Sequence, residues 1–309
     1  MKKTTLAVVA ACASACAFGE MTTKLVETVK GRAPSYLPEG KKLKLIWNDE
    51  FDGDKLDKSK WGFRLFFWGT RHPAWVGDEG VEVSGGYCHL KLVERNGEFY
   101  STQLQTGSLL YDQPKGHFQG GIWPFAKREK PKFQHKYGYY ECRARTQTQP
   151  GWWSAFWLQA PGIGATLDPG QSGVECDILE SFMPGYVVPH CLHYNGYGAD
   201  YQGFRAHRIP APSGLKPEDN IKLDHPEEFH TYAVLWEPDG YTFFIDGKQS
   251  GFKVGQGEGE AVSHTEQFIL LSTEIRDYRN SGVASAEIRG AKLPDEFTVD
   301  YVRVYDLAE

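Results

Sequence analysis

Between Lys44 and Tyr305 the chain repeats one device, a short run of β-branched and aromatic residues followed by a turn former. The runs cover 44–47, 81–83, 88–93, 137–145, 156–158, 174–180, 231–235, 241–245, 267–271 and 297–305. Between them stand Gly85-Gly86, Asn96-Gly97, Pro238-Asp239-Gly240 and Asp246-Gly247, which are hairpin and tight-turn signals. The 34 glycines, 17 prolines and 14% aromatic content favour strands over helices in the same way. Many short strands bury their apolar faces by stacking sheet on sheet, so the pattern predicts an all-β sandwich of jelly-roll type built from two antiparallel sheets.

No composition shift or internal repeat divides this region, so 44–309 reads as a single domain preceded by a polar lead-in over 20–43. Residues 1–19 read as an export signal. Met1-Lys2-Lys3 is the basic start, Leu6 to Ala11 begins the apolar stretch, and Ala15-Cys16-Ala17 is a small-residue cleavage site. A second reading takes Val9-Ala10-Ala11-Cys12 as a lipoprotein box, which leaves a lipid-anchored Cys12. Either way the expectation is an exported protein, secreted or periplasmic, or lipid-tethered. No other stretch approaches the ~20 apolar residues of a membrane span. The net charge of −6 argues against nucleic acid as the main partner. Beyond the signal remain Cys88, Cys142, Cys176 and Cys191, whose spacings fit no metal finger, so at most one disulfide is expected. Two long segments, 112–135 and 196–228, read as irregular cleft walls.

The chemistry concentrates in Glu175-Cys176-Asp177-Ile178-Leu179-Glu180. Strand side chains alternate faces, so Glu175 and Asp177 share one face and Cys176 points to the core. Glu180 falls on the wrong parity unless a bulge at Ile178-Leu179 adds one residue. With that bulge, four effective steps of ~3.3 Å separate the outer Cα atoms by ~13 Å, and inward-leaning glutamates bring their carboxylates about 5 Å apart. That gap suits a retaining glycosidase, about 5–5.5 Å, rather than an inverting one. Such acids otherwise serve as a solvated edge, but Gly151-Trp152-Trp153 to Leu158 upstream and His190 to Tyr194 downstream bracket them with aromatic strands suited to a sugar.

In its bulged form the hexapeptide resembles the catalytic motif of glycoside hydrolase family 16. Trp47 to Gly53 with Trp61, Tyr137 to Ala144, Ala155 to Leu158, Phe229 to Val234 with Trp236, Phe244 to Gly247 and Val299 to Tyr305 are similar to that family's landmarks and follow its order. The resemblance implies a concanavalin-like sandwich with a concave substrate cleft and a retaining endo-acting mechanism. Glu175 would be the nucleophile, Glu180 the acid and then base, and Asp177 the carboxylate between them. A glutamate beside another carboxylate holds its proton more tightly, which suits that role for Glu180.

Trp157, beside the acid strand, is either a sugar-stacking platform or core filler, and Trp153 shares its parity. Trp75 reads as part of a loop closing one end of the cleft, or as a surface cover. His193 lies on the strand expected to pair with the acids and could tune them. Glu274 departs from the Asn-containing strand of 1,3-glucan-cleaving members, which favours β-galactans such as agar, porphyran or host glycans over laminarin. Arg205, His207 and Arg208 could meet a sulfate. No cofactor is required, but Asp300, Glu50 and a carbonyl near Gly86 resemble an optional structural calcium site of the family. A monomer acting on a polysaccharide is expected. A non-catalytic glycan-binding sandwich and a transglycosylase are the alternatives.

Overall fold

The computed structural model describes residues 20–64, 70–71, 73–109, 130–163, 166, 168–188, 190–194, 205–209, 220–250, 262–279 and 282–308. Seven strands form one sheet in the spatial order Arg205–Ile209, His190–Tyr194, Glu175–Ser181, Trp152–Gln159, Phe268–Ile275, Gln103–Gln105, Gly62–Phe63, every pairing antiparallel. A larger sheet of eleven strands is centred on Gly138–Arg145 and Asp295–Leu307. Among the described residues its one parallel pairing joins Ala74–Val76 to Glu98–Ser101, a departure from the expected antiparallel pattern.

Alternation decides what faces the space between the sheets. Along Trp152–Gln159, residues Trp152, Phe156 and Leu158 enter the main core, where they meet Tyr140, Cys142, Val234, Phe243 and Val302 of the larger sheet. The intervening Trp153, Ala155 and Trp157 join a second cluster on the opposite face, with Phe182, Val188, Phe268 and Leu270. The two central strands, Trp152–Gln159 and Phe268–Ile275, are buried along their whole length, while Glu175, Glu180 and His193 on the flanking strands stay partly exposed.

The lead-in is ordered. Thr23–Val26 and Ser35–Pro38 form a two-stranded ribbon, and Leu37 packs with Tyr139, Ala233, Leu235, Phe244 and Tyr305 on the outer face of the larger sheet. The approach is close at Gly247, where φ is +72° and a Cβ would stand 2.3 Å from the Tyr36 ring. Segment 196–228 is less irregular than its sequence suggests, for it contributes the strands Arg205–Ile209 and Ile221–Lys222. Most of 112–135 and residues 1–19, with both readings of the export signal, lie outside the described residues. The four cysteines Cys88, Cys142, Cys176 and Cys191 are buried and unbridged. Among the described residues no helix is long and apolar enough to cross a membrane.

Candidate active site

The bulge anticipated from parity is present. Phe156 pairs with Leu179 while its neighbour Trp157 pairs with Asp177, leaving Ile178 as the extra residue. Cys176, Ile178 and Leu179 all enter the core. Glu175, Asp177 and Glu180 therefore share the other face. Glu175 stands opposite Gln159 and Glu180 opposite Ala155, so five steps along the acid strand match four on its neighbour. At a rise of ~3.3 Å the outer Cα atoms lie ~13 Å apart, the spacing derived above.

The next strand supplies the partners. Glu175 faces His193 and Asp177 faces Cys191 across the ladder. The His193 Nε2 lies 3.0 Å from Asp177 Oδ2. Burial opposes a charge on this imidazole, but the hydrogen bond and charge of Asp177, with the neighbouring Cys191 thiol, outweigh it and hold His193 well above the usual histidine range. Burial pushes the Cys191 thiol up. On the core side His190 Nδ1 donates to the carbonyl of Ile178, the bulge residue, at 2.7 Å, and its Nε2 accepts from the Ser250 hydroxyl at 2.7 Å. Its ring stacks on Phe243 of the larger sheet, centroids 4.4 Å apart.

On the other side Gln159 Nε2 donates to Glu175 Oε2 at 2.9 Å, and Gln159 Oε1 accepts from the buried Arg64 guanidinium at 2.6 Å. That guanidinium lies 5.3 Å from the Trp157 ring centroid. Trp157 is 6% exposed, packs in the buried cluster of this face, and its indole N–H donates to Ser272 Oγ at 3.1 Å, so of the two readings it fits the packed filler with a cation beside its ring. Trp153 is buried against Phe182. Glu274, opposite Trp153 in the ladder, accepts from Gln103 Nε2 at 3.2 Å. The structure thus gathers Glu175, Asp177, Glu180, His193, Trp157, Trp153 and Glu274 on one face.

Three sequence candidates fall elsewhere. Trp75 lies on the strand Ala74–Val76 of the larger sheet rather than in a cleft-closing loop. Glu50 and Asp300 sit with the larger sheet, and both are engaged by arginines. Glu50 accepts from Arg303 Nε at 2.8 Å and Nη2 at 2.7 Å, and Asp300 accepts from Arg143 at 2.5 Å. Arg32 donates to the Glu50 carbonyl at 2.6 Å, with its guanidinium about 3.1 Å from the place of a Cβ on Gly86. Arginines already neutralise both carboxylates of the expected set, so Glu50 and Asp300 do not fit the expected calcium ion. Of Arg205, His207 and Arg208 only the backbone lies within the described structure. Sequence reasoning missed Gln159, Arg64, Gln103 and the bracing His190, because each earns its place through a cross-strand or inter-sheet partner rather than a motif.

A jelly-roll sandwich with three carboxylates on one face of the smaller sheet defines the class as a glycan-processing sandwich. The chain belongs to glycoside hydrolase family 16: residues 46–307 match the family model described as β-porphyranase A-D, GH16 domain. It is 25% identical over 280 residues to glucan endo-1,3-β-glucosidase A1 of Niallia circulans, covering 85% of this chain and 38% of that protein. It is 27% identical over 293 residues to β-porphyranase B of Phocaeicola plebeius, covering 87% of this chain and 86% of that one. The fold matches the laminarinase from Rhodothermus marinus with a TM-score of 0.61 at 22% identity, over 88% of this chain and 100% of that one.

Proposed function

We propose that this chain is a retaining endo-glycoside hydrolase that cleaves a β-linked galactan of the agar or porphyran kind. The observation that carries the reading is the bulge at Ile178, which returns Glu180 to the face of Glu175 and Asp177. Glu175 attacks the anomeric carbon while Glu180 gives its proton to the departing glycosidic oxygen, leaving a glycosyl ester on Glu175. Glu180, now a carboxylate, takes a proton from water, and that water's oxygen displaces Glu175 from the same carbon. Gln159 fixes one oxygen of Glu175 through its hydrogen bond and so orients the carboxylate. Three carboxylates on one face repel each other, and the His193 imidazolium beside Asp177 offsets part of that charge. The chemistry needs no cofactor.

The family model and the Phocaeicola relative, both described as β-porphyranases, support the galactan. Glu274 in the cleft supports it too, standing where 1,3-glucan-cleaving members carry an Asn-containing strand. The second reading, a β-1,3-glucan, is favoured by the Niallia relative. Export through residues 1–19, a single catalytic domain over 44–309 with the 20–43 lead-in, and a monomeric state complete the proposal. Incubation of wild type and Glu175→Gln with porphyran, agarose, laminarin, carrageenans and mucin glycans, read by reducing ends and product masses, tests it. Galactan oligosaccharides from wild type alone support the reading, laminarin products alone transfer it to glucans, and equal binding by both proteins without cleavage replaces it with a binding module.

A further inference from the structure

Asp177, Cys191 and His193 present an oxygen, a sulfur and a nitrogen whose atoms lie within 4.8 Å of one another. The arrangement follows from the ladder. Cys191 is the cross-strand partner of Asp177, and His193, two residues further on, shares the face of Cys191. We propose that these three side chains form a soft divalent-cation site inside the cleft, which takes zinc or cadmium and thereby blocks catalysis. The reading rests on the proposed hydrolase only for its inhibitory half.

Zinc bonds of about 2.0–2.3 Å set ligand atoms about 3.5 Å apart around a tetrahedron, so the widest gap here closes by ~1 Å. Asp177 and His193 are already in contact at 3.0 Å, which leaves the Cys191 thiol as the group that swings. A thiolate among the ligands selects zinc or cadmium over calcium or magnesium. Binding forms metal–sulfur, metal–nitrogen and metal–oxygen bonds, and the thiol proton with any proton on the ligating imidazole nitrogen leaves to solvent, the other ring N–H staying in place. His193 is only partly buried and shares the face of Glu175, its cross-strand partner, so an ion held here sits on the side of the sheet that carries the three acids. A bound ion removes Asp177 from Glu175 and Glu180 and sets a divalent charge beside both.

The first experiment titrates purified full-length protein with cadmium and zinc. One ion per chain, an ultraviolet thiolate-to-cadmium band, and a zinc X-ray absorption spectrum with one sulfur at about 2.3 Å are expected. The Cys191→Ser variant should lose the band and, measured against its own uninhibited rate, need about tenfold or more zinc for half-inhibition, the scale set by losing even an outer partner of a metal. A band that survives in Cys191→Ser, a zinc shell without sulfur, or equal inhibition of both proteins overturns the site. The absorption spectrum uses wild type alone, so it decides even if the variant does not fold. The band and the spectrum also decide if no glycan is cleaved, in which case only the hydrolase reading falls.

Discussion

His190→Phe probes the element that shapes the acid strand. In the wild type the imidazole donates to the buried Ile178 carbonyl at 2.7 Å and accepts from Ser250 at 2.7 Å, while stacking on Phe243. Phenylalanine keeps the stack and removes both hydrogen bonds. Taking the side-chain partner from a buried carbonyl costs about 1–3 kcal/mol, and the Ser250 hydroxyl, half-buried, recovers its bond with water. Burial also lowers the His190 pKa from 6.5 to about 4. Between those values the unfolded chain binds the extra proton and the folded one does not, so wild-type stability falls as pH drops from 6.5 toward 4. The shift corresponds to about 3 kcal/mol. The phenylalanine variant lacks this group. Urea melts at several pH values should therefore show the wild type more stable by about 1–3 kcal/mol near neutrality, with the gap closing between about pH 6 and pH 4 and the phenylalanine variant the more stable protein below that point. Turnover should fall too, because a shift of ~1 Å in the bulge moves Glu180 against Glu175, a displacement on the order of 10²-fold in rate. A gap that stays constant with pH, or a destabilised variant with full activity, refutes the reasoning.

Other outcomes follow from the same contacts. Glu175→Gln should lower turnover by about 10⁶-fold, the scale of losing a nucleophile, with an unchanged urea midpoint. Arg303→Met should cost about 3–5 kcal/mol in urea melts, because it leaves the buried Glu50 carboxylate without its ion pair. A chelator such as EDTA should leave the unfolding midpoint of wild type where it is, since arginines hold Glu50 and Asp300; a fall in the midpoint would restore the calcium site. Trp75→Ala should leave KM within about twofold, as expected for an exposed residue on the other sheet.

The local part of this architecture was legible in the sequence. Parity along one strand placed Glu175 and Asp177 together, required the bulge for Glu180 and sent Cys176 to the core, because side-chain alternation depends only on neighbours in the chain. What depends on register between strands was not legible. Gln159 reaches Glu175 only because the two are opposite in the ladder, and Arg64 reaches Gln159 from a strand end far away in sequence. His190 reads as one more aromatic-rich strand residue until the bulge gives the Ile178 carbonyl a direction. The calcium expectation failed for a related reason. Carboxylates at the right positions say nothing of the arginines that fold against them, and Arg32 comes from the lead-in that looked like a polar tail. That ribbon also supplies Ala33 and Ser35 to Arg303, each at 2.8 Å.

Glu175 acts by double displacement on one carbon, and the anomeric form of the first product reports whether it does. Proton NMR of an early digest of the cleaved polysaccharide, recorded before mutarotation, should show the new reducing end as the β anomer. A reducing end formed first as the α anomer would contradict the account, because it requires a single displacement by water with the two glutamates too far apart for a covalent intermediate.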